Sequence, residues 1–322
     1  MTYNFCTLFD KNYAYRGLAM YFSLAKHCSN FVLWVLCMDG EIYDLLLGMN
    51  LPNVFLIKLS DVEDNELLAI KKSRSSGEYC WTITSSFMLH IFKTDLRIRS
   101  ITYLDADLYF FSTPKPIFDE IGDGSILIVR HNYSKELYYQ EERSGIYNVS
   151  LVCIKNDKEG RRCLEWWRRQ CIKWCYSKHE NGKFGDQMYL NDWPTRFKGV
   201  HVLRQKGANL APWNLNRYIV SSYKDQVFVD EDPLIFFHFH SLKIYGYDNF
   251  SLYLNSYLIS FFDEKVVYSP YVDHLNAIIK KIRNDFPKFT YGFDNRPTLE
   301  IRLKQFVKRK LLILFYLRSF LR

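Results

Sequence analysis

The sequence predicts an α/β protein built on a mostly parallel sheet with flanking helices, and three observations carry that expectation. Over the first 130 residues, short β-rich runs alternate with stretches of helical periodicity, the order produced by parallel strands joined through crossover helices. One of those runs, 31–38, is apolar throughout, as a strand covered on both faces requires. The chain has 322 residues, 48% of them hydrophobic and 24% charged, which is long and apolar enough to bury a large core.

Taken in order, residues 3–9 read as the opening strand, closed by Asp10-Lys-Asn-Tyr13, and 16–26 carry Leu18, Met20, Tyr21 and Leu24 at helical spacing. The run 31–38 stops at Asp39-Gly40, and 54–59 makes a third strand. A basic stretch with Lys71, Lys72 and Arg74 leads into a helix over 81–92, then a fourth strand over 101–104. Strands follow at 125–129 and 148–154, then a Trp-rich helix over 159–176. Later strands are expected at 199–203, 226–229 and 234–239, around a loop holding Gly207, Pro212, Trp213 and Asn214. Beyond Asp263 the pattern turns helical, and Pro297 is placed to open a last helix. The division expected is one domain over 1–262 and a helical region over 263–322.

Charge narrows the function classes. Lys and Arg number 43 against 35 acids, a net +8, but residues 299–322 alone hold seven basic residues and one acid, leaving the body near +2. A nucleic-acid binder spreads its basic stripe over the folded face, so no nucleic-acid partner is expected. In the tail, Arg302, Lys304, Lys308, Arg309 and Lys310 mix with Leu303, Phe306, Val307, Leu311, Leu314 and Phe315. That basic amphipathic pattern suits a helix lying on a membrane surface. The longest apolar run, 31–38, and the tail's own run, 311–317, are both far short of the roughly 20 residues a spanning helix needs. The first ten residues lack the features of a secretory signal, and the eight cysteines lack paired spacing, so free thiols in a reducing cytoplasm are expected.

The chemistry concentrates at Ile101-Thr-Tyr-Leu-Asp105-Ala-Asp107, an apolar strand running straight into two carboxylates one residue apart. Two hard oxygen donors at the carboxyl end of a parallel strand face the crevice where α/β sheets bind ligands, a place to hold a divalent cation that bridges phosphates. His238 and His240 alternate with Phe237 and Phe239, so they share one strand face and are candidates for a third donor, His240 favoured and His238 the alternative. Trp213 and Asn214, on the Gly/Pro loop, read equally as a platform on which an acceptor ring stacks and as a packed loop.

The order of strand, Asp105-x-Asp107 and Pro114-x-Pro116-Ile-Phe resembles the nucleotide-sugar glycosyltransferases of the GT-A fold, particularly family 8 with its glycogenin and lipopolysaccharide galactosyltransferase types. Phe5-Cys-Thr-Leu-Phe-Asp10-Lys-Asn-Tyr13 resembles that family's nucleotide-binding opening strand, and Tyr147-Asn148-Val-Ser-Leu-Val its donor-sugar strand. Gly185-Asp186-Gln187 resembles the pair near the anomeric carbon, and His238-Phe-His240-Ser-Leu-Lys243 the late His and Lys at metal and diphosphate. The chain departs from the family's His-x-x-Gly-x-x-Lys-Pro-Trp segment in having a shorter His-x-His-Ser-Leu-Lys with no Pro-Trp, and Ser150 stands where many relatives have Gly.

The resemblance implies a GT-A fold (Rossmann-like, with a mostly parallel central sheet and flanking helices) followed by a helical basic tail. It implies Mn2+ or Mg2+ as cofactor, held by Asp105, Asp107 and a histidine. Phe9, Asp10, Tyr13, Arg74, Asp105, Ala106, Asn148 and Lys243 would bind the donor, UDP-linked first among nucleotide sugars. Asp186 and Gln187 would orient sugar and acceptor, with transfer retaining configuration; in an inverting enzyme Asp186 would be the first candidate for general base. The acceptor implied is a glycan, lipid-linked, in surface polysaccharide or lipopolysaccharide synthesis. The enzyme would then sit on the inner face of the cell membrane, held there by residues 299–322.

Overall fold

The computed structural model describes residues 2–254, 257 and 259–298. Seven strands form the main sheet: β1 (Tyr3–Phe9), β2 (Phe31–Cys37), β3 (Val54–Lys58), β4 (Ser100–Leu104), β6 (Ile126–Arg130), β7 (Tyr147–Lys155) and β8 (Val200–Val202), with the short β5 (Leu108–Phe110) beside it. Their order is β3-β2-β1-β4-β7-β6-β8. Every neighbouring pair is parallel except the two made by β7. The chain winds outward from β1 to β3, then crosses back to place β4 on the other flank of β1. The carboxyl ends of β1 and β4 therefore border the point where strand order reverses, the crevice in which open α/β sheets bind ligands.

Alternation sorts the strand residues into two cores. Phe5, Phe9, Leu33, Val35, Leu127, Val129, Leu151 and Cys153 face one side. There α1 (Ala14–His27) packs with a helix near the end of the described chain (Ser269–Asp285), which contributes Tyr271, Leu275, Ile278 and Ile282. Cys6, Leu8, Trp34, Leu36, Ile101, Tyr103, Ile126, Ile128, Val152 and Ile154 face the other side, under the helices Ser76–Thr94 and Lys158–Lys173. Covering both faces explains why β2 reads as an unbroken apolar run and its neighbours as mainly apolar rather than alternating ones. Along Lys158–Lys173, Gly160, Leu164, Trp167 and Cys171 fall on one buried stripe. The Trp167 and Trp193 rings meet edge to face there, 5.4 Å apart.

Element existence agrees with the sequence pattern while several boundaries differ. The helix expected over 81–92 begins at Ser76, because Ser75 and Glu78 form a capping box that satisfies both ends of the first turn. The Trp-rich helix ends at Lys173 rather than 176. The strand expected over 234–239 is only Phe236–His238, numbered β9 here, and it pairs antiparallel with β5. Gly40–Met49, a helix capped by Asp39, and the hairpin of Lys243–Gly246 with Asn249–Ser251 were not anticipated. All eight cysteines are free and seven are buried. The basic amphipathic helix expected over 299–322 lies outside the described residues, and no helix among those described is long and apolar enough to cross a membrane.

Candidate active site

Two backbone devices bring the acidic pair and a histidine together. At the end of β4 the Asp105 amide still donates to Ser150 O of β7 at 2.9 Å, and the Leu108 amide then donates back to Asp105 O at 3.3 Å, closing the turn that takes the chain out of the sheet at the first carboxylate. The short β5 then pairs with β9 so that His238 lies opposite Leu108, next to Asp107, and the Phe239 amide donates to Asp107 O at 2.9 Å. His238 Nε2 consequently stands 3.1 Å from Asp107 Oδ1 and 3.8 Å from Asp105 Oδ2. One donor atom from each of the three residues lies within 4.8 Å of the others. The sequence favoured His240; the imidazole in this cluster is that of His238, because β9 ends there and leaves His240 exposed past it.

The surroundings polarise the cluster. Burial pushes the Asp105 carboxyl up to about 6, and the Asp107 charge adds to it. Burial would raise Asp107 as well, yet the neighbouring His238 outweighs it and holds Asp107 down to about 2. His238 is correspondingly raised: burial lowers it, and the combined pull of Asp107 and Asp105 exceeds that effect. The Tyr103 hydroxyl, two residues back on the same strand face, donates to Asp105 Oδ1 at 3.0 Å and orients it. Two oxygen donors and one imidazole, converging with excess negative charge, form a donor set that suits a hard or borderline divalent cation.

This cluster opens into a cleft of about 830 Å3, within the size range of small-molecule sites. Phe9, Asp10 and Tyr13 line one end. There the Asp10 carboxylate is engaged by its own turn, accepting from the Asn12 and Tyr13 amides at 2.9 and 3.2 Å. Ala106, Asn148, Asp186, Gln187, Trp213 and His240 also face the cleft. Asn148 Oδ1 accepts from the Ser150 amide at 2.9 Å and its Nδ2 meets His131 Nε2 at 3.1 Å, which fixes the amide's orientation. Asp186 is buried, and burial followed by the charge of Asp105 pushes its carboxyl up to about 8. Gln187 donates to Ser144 O, across the cleft wall.

Three expected contacts do not line the cleft. Arg74 stacks over Tyr176 at 3.8 Å and donates to Ile172 O at 3.2 Å. Asn214 is buried and ties the loop together, donating to His131 O and Asn209 O. Lys243 pairs with Asp294 at 3.0 Å. Trp213 does line it, donating to His131 O at 2.9 Å with its ring edge-on to His238 at 5.1 Å. Sequence reasoning missed Tyr103, His131, Trp81, Tyr133, Tyr139 and Tyr257 on the cleft wall. Only Tyr103 carried a local signal, its alternation with Asp105.

No family model matches the chain. Two proteins of Bacillus subtilis (strain 168) do. The uncharacterized protein YfnD is 34% identical over 294 residues, 91% of this chain and 94% of that one. The uncharacterized protein YfnF is 31% identical over 227 residues, 69% and 75% of the two chains. Among solved structures, the galactosyltransferase LgtC in complex with donor and acceptor sugar analogs superposes with a TM-score of 0.54, covering 88% of this chain and all of that one. At 14% identity that likeness is one of fold, and the fold is GT-A.

Proposed function

Because the chain belongs with YfnD and YfnF to one protein family and carries the GT-A fold, we propose that it is a metal-dependent glycosyltransferase. The observation that carries the reading is the Asp105-Asp107-His238 cluster at the strand-order reversal of that fold. The proposed donor is a nucleotide-diphosphate sugar, UDP-linked first. The proposed acceptor is a glycan, lipid-linked and delivered at the inner face of a membrane to which residues 299–322 bind. LgtC, captured with donor and acceptor sugar analogs, supports the substrate classes.

Asp105, Asp107 and His238 would hold Mn2+ or Mg2+, which when bound supplies Lewis-acid stabilisation of the departing diphosphate. The remaining work falls to this chain's own groups. Phe9 and Tyr13 border the end of the cleft nearest the first strand, where the nucleotide would lie. Asn148, locked by Ser150 and His131, presents a fixed amide toward the donor sugar. Transfer breaks the bond from the sugar's anomeric carbon to the β-phosphate oxygen and forms one to an acceptor hydroxyl oxygen. The hydroxyl proton must go somewhere, and the lining carboxylates are poorly suited to take it. Asp10 is committed to its turn, Asp105 and Asp107 to the cation, and Asp186 is buried, which raises its carboxyl and disfavours the charged form a base needs. This favours retention, with the leaving phosphate accepting the proton and Asp186 acting as a hydrogen-bond donor that orients sugar or acceptor.

The test is release of free sugar from UDP-glucose, UDP-galactose and UDP-N-acetylglucosamine by the purified chain with Mn2+. The reading expects slow hydrolysis of one donor, reduced at least about a hundredfold in Asp107→Ala. Hydrolysis that is indifferent to metal and to Asp107 would contradict it.

A further inference from the structure

Asp294 gathers more cationic charge than it carries itself. Its Oδ2 accepts from Arg16 at 2.7 Å and from the Ile244 amide at 2.9 Å, and its Oδ1 accepts from Lys243 at 3.0 Å. The two cations are not equivalent. The Arg16 side chain is 4% exposed, donates also to Leu242 O at 2.9 Å and lies over the Tyr13 ring at 4.7 Å. The Lys243 side chain is 48% exposed and its ammonium is held, among the described residues, by Asp294 alone.

This trio borders the metal-like cluster. The turn that begins at His238 closes with the Leu242 amide donating to Phe239 O at 3.2 Å, and Lys243 follows directly. Arg16 is among the charges that lower Asp107. The segment that delivers Asp294 is held firmly. Phe286 lies over Gly48, where an added Cβ would meet its ring at 2.8 Å. Gly292, at φ 90°, lies against Tyr15, whose ring also meets Phe293 at 5.2 Å.

We propose that Asp294 is a displaceable partner of Lys243, holding its ammonium just outside the cleft lining and yielding it to the diphosphate of an arriving donor while Arg16 keeps the carboxylate neutralised. This rests on the donor reading above. The exchange replaces one charge-assisted hydrogen bond of Lys243 with another to phosphate. Without Arg16 the same exchange would strand a partly buried carboxylate with no cation, a costly state. Two cations on one anion therefore make the release of one of them inexpensive, and the exposed one is the one free to move.

The experiment is calorimetric titration of the full chain with UDP and Mg2+, and with uridine as a control lacking phosphate. Asp294→Asn, which stops competing for the ammonium, should bind UDP about tenfold tighter with uridine binding unchanged; Lys243→Ala should bind UDP about tenfold weaker. In the double variant the gain from Asp294→Asn should shrink to within about twofold. A gain of the same size with and without Lys243, or no gain, overturns the inference while leaving the donor reading intact. A wild-type chain that binds neither UDP nor any other nucleoside diphosphate overturns both. If Asp294→Asn does not fold, lysine ammonium NMR of the wild type decides, with Lys243 assigned through its loss in Lys243→Arg. Its resonance should move with UDP and Mg2+ and not with uridine, and an unmoved resonance overturns the inference.

Discussion

At the scale of single residues, Asp186 makes the sharpest claim, a carboxyl pushed up to about 8 by burial and by Asp105. Its value in the folded chain lies above that in the unfolded chain. Between about pH 4 and 8 the folded state therefore holds a proton that the unfolded state has lost. The stability tied to this group is complete below about pH 4 and is lost as pH rises through about 8. In metal-free buffer, the melting temperature of the wild type minus that of Asp186→Asn should fall by a few degrees between pH 5 and pH 8. A flat difference would mean that the carboxyl is not desolvated. The Asp105-x-Asp107 pair was legible because its meaning is local, two acids at the end of an apolar strand. Choosing between His238 and His240 was not, because it depends on where β9 stops and on its register with β5, more than 120 residues away. Lys243, Arg74 and Asn214 were equally opaque, since Asp294, Tyr176 and the His131 carbonyl are partners assembled only by the fold.

At the scale of elements, the helix Lys158–Lys173 shows how packing overrides propensity. The Gly160 amide donates to the N-cap carboxylate of Asp157 at 2.8 Å, and a Cβ added to Gly160 would sit 2.0 Å from Lys155 O. Alanine favours helices by about 1 kcal/mol over glycine, but here it must displace backbone of β7. Gly160→Ala should destabilise the chain by about 1–3 kcal/mol in urea unfolding. Stabilisation would show that the helix can slide away from the sheet. The strands were readable for the opposite reason, because burial on both faces writes a mainly apolar run into β1, β2, β4 and β7 whatever lies beyond. Helix starts were less readable, as the capping box at Ser75 shows. It begins its helix five residues ahead of the apolar periodicity and sets Ser76 and Gly77 on the cleft wall.

At the scale of the whole molecule, the proposed division of labour is a metal-dependent donor site on a near-neutral body and a basic amphipathic tail that brings it to a surface. If the tail supplies the attraction, the full chain should co-sediment with vesicles containing anionic lipid and release at high salt. Removing 299–322 should abolish that binding without lowering the melting temperature. Equal sedimentation of both forms would put the membrane contact elsewhere or nowhere. The central claim is the donor site, and it is tested most directly by thermal melting against UDP, GDP, dTDP and CMP with and without Mn2+. A nucleotide at 100 times its dissociation constant stabilises by about 2.7 kcal/mol. The account predicts a metal-dependent upward shift, largest for UDP, that disappears in Asp107→Ala. No shift with any nucleotide, or one that survives without metal and without Asp107, would contradict it.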